Sequence, residues 1–264
     1  NLLEGGGNDR AVGGHRGSAR QAETLAVMPV REIAVLPAGG PWLAPLVAPG
    51  EAGALSALDY MPRLIEMADW DAALAAELGA RRPDAVLAVR MPFAPGFADR
   101  MLDGVRAGLR VFHLVADYHG RGADGRFGLD LIREAHAALV AAGCRDEVTL
   151  LGSGGITAAE HVAKAILCGL DAVALDTPLL VALQARMLGE CRAAEAASFE
   201  LPALEPAWAV QRLKNLLASW RDQLLEVLGA MGLREVRRLR GEMGRAMFQT
   251  DLEREAFEGI AGYE

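Results

Sequence analysis

VTLLGSGGITAAEHVAKAILCGLDAVALDTPLLVAL, from Val148 to Leu183, decides the fold. Val148-Thr149-Leu150-Leu151 is a short apolar run of β-preferring residues, and Gly152-Ser153-Gly154-Gly155 breaks it. Thr157 followed by Glu160 has the spacing of a capping box, so a helix is predicted from there, with Val162, Ala163, Ile166 and Leu167 on its apolar face and Gly169 as its stop. Asp171 to Leu175 reads as a strand buried on both faces, because its apolar residues do not alternate with polar ones. Thr177 can cap a second helix that has Pro178 at its first position. Two parallel strands joined by a helix make a right-handed βαβ unit. Its loops leave the strands at their carboxyl ends, where parallel α/β folds bind ligands.

Successive glycines let backbone N–H groups point together at an anion, and the following helix N-terminus adds partial positive charge. Ser153-Gly154-Gly155-Ile156 therefore reads as a phosphate cradle, although a tight strand-to-helix turn also uses glycine. A second turn-to-helix junction follows at Asp176-Thr177. Two such junctions in succession form the phosphate site of many (β/α)8 barrels, in the loops after the seventh and eighth strands.

Outward from this unit the same rhythm continues. Ala85 to Val89 is a predicted strand with Arg90 at its carboxyl end, and Phe97 to Ala107 a helix. Val111 to Ala116 is a strand leading into Asp117-Tyr118-His119-Gly120, and Leu129 to Ala142 a helix. Before them, Ile33 to Leu36 reads as a strand, Pro37 to Gly53 with its four prolines as a long irregular connection, and Met61 to Leu78 as a helix carrying Trp70. Residues 1 to 24 hold Gly5 to Gly7 and Gly13-Gly14, in keeping with a flexible loop segment or a glycine loop facing a ligand. Five strands are evident against the eight of a closed barrel. The fold class is thus α/β, a parallel (β/α)8 TIM-type barrel of which this chain carries the carboxyl-terminal half to two-thirds. Residues 1–190 form the barrel portion. Residues 191–264 form a helical extension, with apolar residues at helical spacing from Val210 to Met231, a short helix over 233–239 and a mixed tail over 244–260.

The 264 residues are 52% hydrophobic and 23% charged, enough for one large core and an appendage. A net charge of −8 speaks against a nucleic-acid partner. Cys144, Cys168 and Cys191 are widely spaced, which argues against a disulfide framework or a closed zinc site and fits a reducing cytoplasm. No apolar run reaches the roughly 20 residues of a membrane span. The chain begins at Asn1 rather than Met, as a trimmed product or fragment would.

Three segments together resemble the carboxyl-terminal part of the FMN-binding barrel of the glutamate synthase family. They are Gly128 to Val148, ending Gly-x-Arg145-Asp146; SGGI with its helix and AVALDTPLLVAL; and Gly232-Leu233-Arg234-Glu235-Val236-Arg237-Arg238-Leu239-Arg240-Gly241. The resemblance covers about residues 84 to 245. It implies an FMN whose phosphate rests on Ser153, Gly154, Gly155 and Ile156 and, beyond Asp176, on Thr177. It places Arg90 where the family has a flavin-facing lysine, and His119 in a loop at the mouth from which a proton can be supplied. His113 and His136 are assigned to packing or surface. The implied activity is reduction of 2-iminoglutarate, from 2-oxoglutarate and ammonia, to glutamate.

The sequence also departs from the family. Only Cys191 occupies the stretch where the family has three cluster cysteines, so no iron–sulfur cluster is expected. Asp176 stands where the family has glycine, and a carboxylate there repels a phosphate. Residue 1 is Asn where the family's glutaminase domain has its cysteine nucleophile, so ammonia and electrons would come from an electron-donor protein or partner subunit. Two other readings stay open. One is a degenerate, non-catalytic barrel subunit of a redox assembly, and the other a different phosphate-binding barrel enzyme.

Overall fold

The computed structural model describes residues 23–188 and 198–242. Cys191, residues 1–22 of the early glycine-rich segment and the 244–260 tail lie outside them. Seven strands form one parallel sheet in strict chain order: β1 (Ala26–Pro29), β2 (Leu43–Val47), β3 (Leu64–Met67), β4 (Val86–Pro92), β5 (Val111–Val115), β6 (Thr149–Ser153) and β7 (Ala172–Val173). Sequential, parallel, right-handed connections curl such a sheet into the wall of a barrel, and the chain is a partial (β/α)8 barrel. The helices between strands are α1 (Val30–Ala34), α2 (Ala72–Arg81), α3 (Phe97–Arg106), α4 (Gly128–Ala141) and α5 (Ala159–Leu167), with α6 (Thr177–Ala182) after β7.

The later strands and helices lie where their patterns put them; the early ones differ. Ile33 is helical, in α1, rather than in a strand. The proline-rich stretch contains β2, whose Pro45 has no N–H to give. Its pairing with β3 accordingly begins only after that residue, at Leu46↔Glu66 and Val47↔Met67. The helix expected over 61–78 is instead β3 followed by α2, which Asp71 caps by accepting from the Leu74 amide at 2.8 Å. Ile65 and Met67 are fully buried in the main core with Phe97, Phe112 and Leu131, and that burial outweighs the helical spacing of the apolar residues. The Thr157/Glu160 capping box does not form. Ala158 is the N-cap of α5, and the Thr157 amide donates to His161 Nδ1 at 3.2 Å.

Beyond the barrel wall, β8 (Arg186–Leu188) and β9 (Ser198–Glu200) pair antiparallel, and α7 (Pro206–Ala230) runs 25 residues behind a Glu205 cap that accepts from Ala207 and Trp208. Leu228 of α7 and Leu239 of the following 3-10 turn (Val236–Leu239) bury with Ile156, Val162, Ile166 and Leu167, so the extension covers the outer face of α5. At the opposite, amino-terminal edge of β6 and β7 a clamp closes the contact. Arg240 pairs with Asp171 at 2.5 Å and with Asp146 at 2.6 Å. Arg145 reaches Asp171 at 2.9 Å, His136 at 3.1 Å and the carbonyls of Val148 and Gly169, each at 2.6 Å. A side chain at Gly241 would meet His136 Nε2 at 2.9 Å, which leaves room only for glycine next to Arg240. The motifs Gly-x-Arg-Asp and Leu-Arg-Gly, distant in sequence, are the two jaws of this clamp.

Candidate functional site

The carboxyl-terminal ends of four adjacent strands carry one connected set of polar side chains. Arg90 on β4 donates from Nε to Glu66 Oε1 on β3 at 2.6 Å, and His113 Nδ1 on β5 lies 2.9 Å from the same oxygen. His113 Nε2 is 2.9 Å from Ser153 Oγ at the end of β6. Arg90 pairs with His113, and Val115 with Ser153, in the sheet register, so the strands hold the row in place. Glu66 is wholly buried, and among the described residues its Oε2 has no partner. Burial pushes its carboxyl toward the neutral form, but the hydrogen bonds and charges of His113 and Arg90 win and hold it below the usual carboxylate range.

The sequence reading leaves His113 to packing or the surface and passes over Glu66, inside the helix expected over 61–78; both belong to this row. A carboxylate between Ile65 and Met67 is the signal that finds it, since such a group is buried only with partners.

The glycine turn follows β6. Gly154 and Gly155 have φ of +91° and +70°. A Cβ on Gly155 would lie 2.7 Å from the Gly120 amide nitrogen, and one on Gly154 would meet the carbonyls of Ala116 and Asp117. The turn is therefore glycine because the loop after β5 presses against it. Among the described residues, the amides of Gly154, Gly155 and Ile156 have no acceptor. Three adjacent unfilled donors ahead of the nine-residue helix α5 are what an anion requires.

A cavity of about 490 Å³ opens against this turn. His119, exposed and stacked beside Tyr118 at 3.9 Å, lies on its wall with Phe127, His161 and Lys164. Arg90, Asp176 and Thr177 do not line it. The sequence-derived candidates thus divide into three places. Ser153 to Ile156 share the cavity with His119, Arg90 joins Ser153 through Glu66 and His113, and Asp176 with Thr177 begins α6. At α6 the Asp176 carboxylate accepts from the Thr177 amide at 2.5 Å, while Thr177 Oγ1 is buried with no partner among the described residues. The second junction is filled by the chain's own side chain. Among the described residues no group of three or more His, Cys, Asp or Glu is placed to hold a metal, and no helix is long and apolar enough to cross a membrane.

Residues 125–234, the span holding α4, the glycine turn and α7, match the family model described as the conserved region in glutamate synthase. Through this region the chain is similar to the glutamate synthase family. It is 36% identical over 110 residues to the archaeal glutamate synthase [NADPH] of Methanocaldococcus jannaschii, covering 39% of this chain and 22% of that one. To the corresponding protein of Archaeoglobus fulgidus it is 33% identical over 129 residues, 46% of this chain and 25% of the relative. The archaeal-type enzyme of Thermotoga neapolitana is 30% identical over 171 residues, 62% and 31% respectively. The chain thus spans less than a third of the length of these relatives. Among solved structures, mandelate oxidase with (S)-2-phenylpropionate superposes with a TM-score of 0.57 at 19% identity, over 88% of this chain and 72% of that one. A mandelate oxidase variant with the monooxide FMN adduct gives 0.55 at 20% identity, over the same shares of the two chains. At these identities the likeness is one of fold: the chain has the barrel wall of such enzymes.

Proposed function

We propose that the chain is part of an FMN-dependent oxidoreductase of the glutamate synthase family, reducing 2-iminoglutarate, formed from 2-oxoglutarate and ammonia, to glutamate. The observation that carries this reading is the run of three unfilled amides at Gly154, Gly155 and Ile156, at the carboxyl end of β6, within the region that matches the family. A phosphate monoester accepts from such amides, and Lys164 on the same wall can add charge. The first junction fits the phosphate of FMN; the second, with the Asp176 carboxylate on the Thr177 amide, does not until that side chain turns away.

FMN, when bound, supplies hydride transfer. Arg90 contributes a permanent cation that Glu66 keeps from swinging, suited to an anionic substrate or to negative charge on the ring system. His119, exposed on the cavity wall, is placed to give or take a proton. Electrons would come from a donor protein or partner subunit, and the cytoplasm suits that supply.

The test is a titration of the purified protein with FMN and, separately, with riboflavin, followed by quenching of flavin fluorescence. The reading predicts saturable binding of FMN and at least tenfold weaker binding of riboflavin, which lacks the phosphate. Equal binding of the two would remove the cradle from the account. A protein that ignores both would favour a non-catalytic barrel subunit, the reading that the Asp176 cap supports.

A further inference from the structure

The row from Glu66 to Ser153 contains an arrangement that flavin binding does not require. His113 touches a carboxylate oxygen with one ring nitrogen and a serine hydroxyl with the other, both at 2.9 Å. Glu66 is ionised and can only accept, so His113 Nδ1 donates to it, and in the neutral imidazole Nε2 is then the nitrogen that accepts from the Ser153 hydroxyl. That is the order of an activated serine: nucleophile, base, and an acid that fixes the base's tautomer. Ser153 is half-buried, and Arg90 on the same face of the sheet keeps 24% of its side chain exposed, so the row is open to small molecules. Phe112, next to His113, packs on Gly104 of α3, which confirms that His113 itself faces away from the helices.

The residue after the nucleophile supplies a donor as well. Gly154 and Gly155 follow Ser153 directly with amides that have no acceptor among the described residues, as an oxyanion site needs. Stability alone does not account for the row. Glu66 Oε2 is buried with no partner among the described residues, a desolvation cost that an apolar residue on β3 would avoid.

We propose that Ser153 is an acyl-accepting nucleophile, with His113 as its base and Glu66 as the positioning residue, that cleaves small activated carboxylic esters. As Ser153 Oγ bonds to the carbonyl carbon, its proton passes to His113 Nε2, and the carbonyl π pair moves onto oxygen beside the Gly154 and Gly155 amides. Collapse re-forms the carbonyl and breaks the bond to the alkoxide, which takes the proton from Nε2. Water then repeats the sequence on the acyl-serine. Ester and water become acid and alcohol, with no net oxidation. This activity uses the Gly154 and Gly155 amides that the flavin reading gives to a phosphate, so it is assayed without FMN.

The experiment treats the full chain with diisopropyl fluorophosphate, followed by intact mass and peptide mapping, and measures hydrolysis of p-nitrophenyl acetate. The expected result is one phosphoryl group per chain, on Ser153, with none on Ser153→Ala. Ester turnover should fall on the order of 10³-fold in Ser153→Ala and in His113→Gln. Glu66→Gln should lower the maximal rate of phosphorylation while leaving the half-saturating reagent concentration unchanged, a split that a purely structural role would not give. If a substitution at the buried His113 or Glu66 prevents folding, Ser153→Ala, which removes one hydroxyl, still decides. A folded protein unlabelled at Ser153, or Ser153→Ala hydrolysing ester at the parent rate, overturns the proposal.

Discussion

Asp176 shows how one side chain can decide what a turn does. Its carboxylate holds the Thr177 amide at 2.5 Å and leaves Thr177 Oγ1 buried with no partner among the described residues, so donors that face a ligand in an open junction are turned inward or taken. Replacing it with glycine frees the amide and removes a negative charge from the second junction. Loss of an aspartate cap to glycine costs only a few tenths of a kcal/mol, so Asp176→Gly should fold. The expected outcome is FMN affinity raised about tenfold, equivalent to roughly 1.4 kcal/mol, by fluorescence titration. Weaker binding would mean that the carboxylate supports the site instead of opposing it. Gly155 offers the contrary case. Gly155→Asp would block the cradle, but any Cβ there would lie 2.7 Å from the Gly120 nitrogen at a φ of +70°. The variant should lower thermal stability even without ligand, through strain of the order of 1–3 kcal/mol, and calorimetry of the ligand-free protein reads this directly.

At the scale of elements, the clamp between the 3-10 turn and the barrel wall makes stability depend on pH. Burial, with Arg145 and Arg240 beside it, pushes the His136 imidazole down from its ordinary 6.5, and only Asp171 opposes them. The unfolded chain therefore takes up a proton at a higher pH than the folded one. Stability is full above the unfolded value and is lost as pH falls below it. Asp171 acts in the same direction lower on the scale. Its carboxyl is desolvated, yet the Leu150 amide, Arg240 and Arg145 hold it below its ordinary 3.8, so its contribution fades as pH falls past that point. The denaturant midpoint should fall from pH 7 to pH 5, and His136→Gln should flatten that slope while Asp171→Asn should lower the midpoint at every pH above 5. An unchanged slope in His136→Gln would show that the clamp is indifferent to the imidazole. These jaws were legible as motifs but not as contacts. Arg145 and Arg240 stand far apart in sequence, and only the closing of α5 against α7 brings both to Asp171.

Over the whole molecule, what the sequence disclosed follows the length and regularity of its elements. From Val86 onward strands alternate with amphipathic helices that have glycine stops, and the barrel rhythm is plain. Before it, β2 is split by Pro45 and β3 is four residues long, so neither shows a period. Glu66 was concealed with β3, and with it the row on which Arg90 and His113 depend. Much of the glycine turn's underside is supplied by the extension: Leu228 and Leu239 pack with Ile156, Val162, Ile166 and Leu167. Leu239 is fully buried, and truncating such a residue costs about 2–5 kcal/mol. Since this cluster is separate from the main core of Ile65, Phe97, Phe112 and Leu131, the loss in Leu239→Ala should be local. Hydrogen exchange is expected to quicken at the amides of α5 and α7 while those of β4 and β5 keep their protection. FMN affinity should fall with it, because Ile156 ends the cradle and begins the cluster. A uniform rise in exchange across both regions would mean that barrel wall and extension unfold as one unit.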